Sequence, residues 1–191
     1  MGLRAASNAI DPLTRFVHPH VVALLAVEPH ESTLQLTTAY TGSFDGLLPL
    51  ARLLNLQSSG QISPRQAMLV GVHLLSALDA GFRKGLVHGP LTIEEVLVDR
   101  HGRALIELFG VEAAVRVPDF QFAARESVRG VARIVYELIC GLAPAENRVS
   151  ASRLVRSVPR GLDQFFARAI DDDGSFEIPA QALEAISGLL R

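Results

Sequence analysis

Along the chain, runs of apolar residues switch between two periods, and the switches mark out the elements. Residues 20–28 (HVVALLAVE) form a short, continuous, β-branched apolar run, which predicts a buried strand. Pro29-His30-Glu31-Ser32 carries turn chemistry, and 33–40 (TLQLTTAY) alternates as a second strand, so residues 20–40 read as an antiparallel hairpin. The stretch 44–56 (FDGLLPLARLLNL) reads as a helix disturbed near Pro49. The strongest signal is 63–85, where Ala67, Val70, Leu74, Ala77 and Leu78 recur at helical spacing. Ser63 supplies an N-cap, Pro64 suits the first turn, and Gly85 stands where a left-handed residue ends a helix.

Two short strands follow, 95–99 (EVLVD) and 103–109 (RALIELF), joined by a tight turn at Arg100-His101-Gly102. A helix is expected from Glu126 to Cys140, stopped by Gly141, and weaker helical stretches occupy 150–157, 161–170 and 179–190. Residues 1–17 are weakly patterned and read as an arm or a lone helical turn. The domain proper is therefore expected to span 18–191. Its class is α+β and mostly helical: hairpin, helices, small hairpin, then helices alone.

Composition narrows the function classes. The chain has 191 residues, enough for one domain, with 49% hydrophobic and 20% charged residues, a balance that builds a packed core. A net charge of −2 gives no electrostatic case for nucleic acid or a membrane surface. No apolar run reaches a membrane span, and residues 1–16 lack a signal-peptide core, so the expected compartment is the cytoplasm. The single Cys140 excludes an internal disulfide and a cysteine-cluster zinc site, and its apolar setting predicts a buried, inert thiol. Of 18 basic residues 17 are arginine; Lys84 is the only lysine.

Several polar clusters suggest chemistry at first sight. Glu94, Glu95 and Glu107 could face a hard cation, but oxygen ligands around them are sparse and solvated carboxylates explain them. Asp171 to Gly174 has the flavour of half a calcium loop without its alternating ligands or closing glutamate, and reads as an interhelix turn. His18, Pro19 and His20 read as a turn before a strand. No G-x-S-x-G elbow, H-E-x-x-H helix or P-loop is present.

The central stretch 85–114 (GLVHGPLTIEEVLVDRHGRALIELFGVEAA) resembles the protein-kinase family, whose signature runs H-R-D-L-x-x-x-N, two short strands, then D-F-G. His88, Leu91, Val96 and Leu97 fall on the first part, and Phe109 and Gly110 end the second. Residues 18–28 resemble the family's strand after its regulatory helix. Residues 63–88 resemble the helix leading into the catalytic loop, and 127–144 the apolar helix through the middle of the helical lobe. About residues 18–190 are covered, in family order. The resemblance implies a kinase-like helical lobe with a remnant hairpin of the N-terminal lobe.

The departures fall on the groups that perform phosphoryl transfer. The proton-accepting aspartate falls on Pro90 and the preceding arginine on Gly89. The loop lysine falls on Thr92, the metal-binding asparagine on Glu95 and the aspartate of D-F-G on Leu108. The aspartate that braces the loop from the central helix falls on Ser127. Only 17 residues precede His18, too few for the glycine-rich loop, its strands and a full regulatory helix, and Lys84 sits too far along to be the phosphate-binding lysine.

The resemblance thus implies a pseudokinase, not an enzyme, with no cofactor and no metal, working through a protein partner, a second copy of the chain being one form of it. The alternative is a nucleotide sensor that binds near Tyr40, Gly42 and Leu97 without chemistry. His88 and Phe109 match positions that pack together beneath a kinase active site, so His88 is expected as a satisfied core histidine with no carboxylate partner. The segment between Gly110 and Ser127 is shortened, its A-P-E box reduced to Pro118 and Asp119, with the arginine that would pair with that box falling near Ser175. An uncovered charged stripe of Arg129, Arg133 and Glu137 is expected in consequence. It is either solvated, with an Arg133–Glu137 pair, or a docking face for an acidic partner. A sheet edge and the old cleft are expected to lie open unless residues 1–17 or another chain cover them.

Overall fold

The computed structural model describes residues 2–39, 46–57, 60–171 and 176–191. The chain opens with α1 (Leu3–Ile10), a 3₁₀ turn at Asp11–Arg15, and the antiparallel hairpin β1 (Leu24–His30) and β2 (Thr33–Thr38). Next come β3 (Leu48–Pro49), α2 (Leu50–Leu56), the long α3 (Pro64–Phe82), and β4 (Val96–Val98) with β5 (Ala104–Ile106). Helices α4 (Val111–Arg116), α5 (Phe120–Cys140), α6 (Ala151–Leu154), α7 (Arg160–Phe166), a π turn at Ala167–Asp171 and α8 (Pro179–Gly188) complete it.

The expected fold class is the observed one: a mostly helical body with small sheets. Helix α3 forms where its caps predict. The Ser63 hydroxyl accepts the Gln66 amide hydrogen, the Gln66 side chain accepts from the Ser63 backbone, and Gly85 takes φ +73°. Its apolar face packs on α5 and α8, and Leu74, Leu75, Val131, Val135, Leu138 and Ile186 are fully buried between them. Cys140, at the end of α5, is buried in this core, and burial pushes its thiol pKa up.

Strands β3, β4 and β5 form one antiparallel sheet and β1–β2 another. Residues 20–22 link them: the Ile106 amide donates to the His20 carbonyl (3.0 Å) and the Val22 amide to the Ile106 carbonyl (2.9 Å). Among the described residues the hairpin gains no further strand.

Residues 1–17, expected as an arm or a lone helical turn, are helical: Ala6, Ile10, Leu13 and Phe16 are buried, with the helix packed against the hairpin and α4, and so they are one cover of the face expected to lie open otherwise. Four local expectations are corrected. The strand expected from residue 20 begins at Leu24, because Val21 and Val22 bond to β5 instead. Pro29 and His30 are strand residues paired with Leu34 and Thr33, so the reversal is confined to Glu31 and Ser32. Leu48–Pro49 is not helical but pairs with Leu97 and Val98, since proline cannot supply a helical N–H and is tolerated on an edge. Helix α5 starts at Phe120, not Glu126, with the Asp119 carboxylate accepting the Phe122 amide hydrogen at 2.7 Å, and α4 precedes it in the shortened segment.

Candidate functional site: the catalytic-loop equivalent

The loop between α3 and β4 is held from beneath by α5. Gly89, at φ +95°, donates its amide hydrogen to the Ser127 hydroxyl (3.0 Å), which in turn donates to the Ala123 carbonyl (2.8 Å). The brace that the family resemblance assigns to an aspartate is thus kept by a neutral hydroxyl. One turn along α5, Gly130 has no side chain because Leu91 passes over it. Pro90 and Leu91 offer no polar side chain, and Leu91 is buried.

Glu95, which the family resemblance sets at the metal-binding asparagine, is committed to its own loop. Its Oε2 accepts hydrogens from the Thr92 amide and hydroxyl, both at 2.9 Å, closing a capping box on the short 3₁₀ turn Ile93–Glu95. Its Oε1 lies 3.9 Å from His88 Nε2. His88 is buried edge-on to Phe109 (5.5 Å between centroids), and neither ring nitrogen has a hydrogen-bond partner among the described residues. The expectation of a satisfied histidine without a carboxylate neighbour is therefore corrected on both counts. Burial holds the His88 pKa below the usual histidine range against the pull of Glu95 and Glu112, so the ring is neutral near pH 7.

Leu108, which the family resemblance sets at the metal-binding aspartate, is an exposed leucine with φ +48°. Phe109 is buried against Phe16, and its ring fills the space that a side chain at Gly81 would need. Helix α4 begins directly after Gly110 and is closed by a Glu112–Arg116 pair at 3.1 Å. A cavity of about 200 Å³ lies between this helix and the loop, lined by His88, Pro90, Glu112, Arg116 and Phe122 among others. The Lys84 ammonium lies 5.4 Å over the Phe16 ring, a cation–π contact that binds the end of α3 to the N-terminal segment.

The structure thus brings Gly89, Pro90, Thr92, Glu95 and Ser127 into one loop and its support. Leu97 lies apart, buried in the sheet opposite Pro49 and Leu105. Tyr40, Gly42 and Ser175 lie outside the described residues. On the outer side of the loop the α5 stripe is only partly uncovered, with Arg133 exposed and Arg129 and Glu137 half-buried. Arg133 is exposed and has no ion pair among the described residues, and Arg129 pairs with Glu126 at 2.7 Å, so the expected Arg133–Glu137 pair does not form. Glu94 and Glu137 stand on the same face, and burial followed by Glu94 raises the Glu137 pKa.

The family resemblance implies a magnesium nucleotide at this loop, and the residues it would assign to that role do not fit one: the Glu95 carboxylate already accepts two hydrogens from Thr92, and Leu108 offers no oxygen. Sequence reasoning missed the Glu95–Thr92 box, although T-x-x-E is its signature, and missed Glu95 as the neighbour of His88.

The chain is similar to solved protein-kinase domains. It superposes on the Mycobacterium tuberculosis PknI kinase domain with a TM-score of 0.79 and 16% identity, covering 97% of this chain and 78% of that one. A double mutant of that domain gives a TM-score of 0.80 at 16% identity, covering 98% and 79%. The fold is therefore protein-kinase-like. No protein-family model and no curated protein matches the sequence. Among the described residues no helix is long and apolar enough to cross a membrane, and no group of histidine, cysteine, aspartate and glutamate side chains is arranged to hold a metal ion.

Proposed function

We propose that this chain is a non-catalytic kinase-like domain, a pseudokinase that works by engaging another protein. The observation that carries the reading is the commitment of Glu95: the carboxylate at the one metal-ligand position that keeps an oxygen donor is tied to Thr92, while the proton-acceptor and second metal positions are Pro90 and Leu108. Phosphoryl transfer is a matter of placing charge around the transferring group, and this loop places none of the required kind. The loop is nonetheless braced by Ser127 and Gly130, which supports a role for its shape rather than for chemistry.

The partner surface we favour is the outer face of the loop with the α5 stripe. It carries Arg129 and Arg133 beside Glu94, Glu126 and Glu137, so it suits a partner of mixed charge better than a purely acidic one. The test is a radiolabelled ATP assay with magnesium or manganese, run beside a thermal-shift titration with ATP and ADP. Neither incorporation nor stabilisation is expected. Incorporation that Glu95→Gln abolishes or reduces would overturn the reading, because the activity would then belong to this loop. A rise in Tm with ADP alone would favour a nucleotide sensor, because saturating ligand at a hundredfold excess over Kd adds about 2.7 kcal/mol.

A further inference from the structure

A second cavity, of about 500 Å³, lies between α2, α3 and the β4–β5 turn and shares no lining residue with the loop cavity. Its walls are apolar, with Leu54 and Val70 from the two helices and Leu138 from α5. Its polar lining is unusual in kind: none of the lining residues is acidic, and several donor hydrogens have no partner among the described residues. His73 Nδ1 accepts the Ala104 amide hydrogen at 3.3 Å, so its own proton is on Nε2. His101 Nε2 accepts from Arg100 at 3.1 Å, which puts its proton on Nδ1. Gln66 uses its oxygen on Ser63 and keeps the NH₂ group. Arg103 gives Nε to Asp99 at 2.7 Å and has no other partner among the described residues, so its terminal nitrogens are uncommitted. The nearby Asp99 carboxylate already accepts from the amides of His101 and Arg103 as well. Gln57 adds one side-chain amide with no partner among the described residues.

An apolar cavity of this size with a rim of donors, among them the free terminal nitrogens of a guanidinium whose Nε is held by Asp99, is complementary to a single anionic head on an apolar body. We propose that this cavity binds an amphipathic carboxylate, its chain along Leu54, Val70 and Leu138 and its carboxylate taking hydrogens from Arg103 and the neighbouring imidazole and amide donors. The volume suits a molecule of roughly ten to fifteen non-hydrogen atoms. The inference is independent of the partner reading above, since it uses none of the same residues.

Isothermal titration of the full chain with decanoate below its micelle concentration tests it, with decanol and acetate as controls for the tail alone and the head alone. Decanoate should bind once, with a Kd below about 100 µM, and both controls at least about tenfold more weakly. Arg103→Met should weaken decanoate about tenfold and leave decanol unchanged. Leu69→Trp, at a half-buried lining position, should abolish binding of decanoate by filling the cavity. Decanol binding as tightly as decanoate, several equivalents per chain, or unchanged binding to Leu69→Trp would each overturn the proposal. Should Arg103→Met lower the Tm by loosening its turn, the Leu69→Trp titration decides alone.

Discussion

Gly130 of α5 lies directly under Leu91: a Cβ at position 130 would stand 2.4 Å from the Leu91 carbonyl oxygen and 2.7 Å from its amide nitrogen. Both are backbone atoms, so neither can swing aside. Gly130→Ala should therefore push the loop off the helix. The intrinsic gain of alanine over glycine in a helix, about 1 kcal/mol, is outweighed by an overpacking cost of about 2–3 kcal/mol. Chemical denaturation should show a net loss, whereas Gly188→Ala, with nothing within 4 Å, should be neutral or slightly stabilising.

Ser127→Ala removes the acceptor of a buried Gly89 amide and leaves that donor unpaired. A loss of about 1–3 kcal/mol is expected in the same assay. Hydrogen exchange should localise it, with faster exchange at Gly89 and little change in α8. An unchanged exchange rate at Gly89 would show that another group holds the loop.

The histidines near β5 predict an acid sensitivity. His20 stacks on His73 at 4.1 Å, and its Nδ1 donates to the Ala104 carbonyl. Burial, then His20 and Arg103 against the opposing pull of Asp99, takes the His73 pKa down to about 4. A base whose folded pKa lies below its unfolded value binds fewer protons when folded, so stability is full above about pH 6.5 and falls as pH drops towards 4. The group is only half buried, so the contribution is discounted to about 1–2 kcal/mol, a few degrees in Tm. His73→Gln should flatten the Tm profile between those pH values; a profile as steep as that of the parent would assign the sensitivity elsewhere.

Arg148 is buried between the rings of Tyr136 (5.5 Å) and Phe166 (5.7 Å), with Nε bonded to Asp171 Oδ1 at 3.0 Å and a second bond to Oδ2. Its remaining terminal nitrogen has no partner among the described residues. Asp171→Ala leaves the cation buried and uncompensated, and should cost about 3 kcal/mol. Arg148→Met combined with Asp171→Ala should recover much of that loss, because the charge is removed together with its counter-ion. Equal losses in the single and double variants would show that the pair adds nothing beyond packing.

What is legible in the sequence is local. Ser63, Gln66 and Gly85 bound α3 because cap chemistry acts over three or four residues. The helix at residues 3–10 shows in the sequence only as a choice between an arm and a lone helical turn, although Ala6, Ile10 and Leu13 keep helical spacing, because it is short and its stability comes from packing on the hairpin and α4. The early start of α5 has a signal in Pro118-Asp119, where the family resemblance hides the capping role. Leu48 and Pro49 become strand only because β4 lies beside them, a relation no local pattern carries. At the loop, the lost positions can be read from the signature, but the new attachments, Glu95 to Thr92 and Gly89 to Ser127, depend on three-dimensional proximity.

Cys140 gives the molecule an internal clock. It is the chain's one thiol, sealed at the end of the central helix with its pKa raised, so a thiol reagent meets almost no thiolate in the folded state. Labelling must then wait for α5 to open, and its rate in excess reagent reports how often the core comes apart. No fluorophore or engineered site is needed to time that event, and each variant above can be ranked by it without a denaturant.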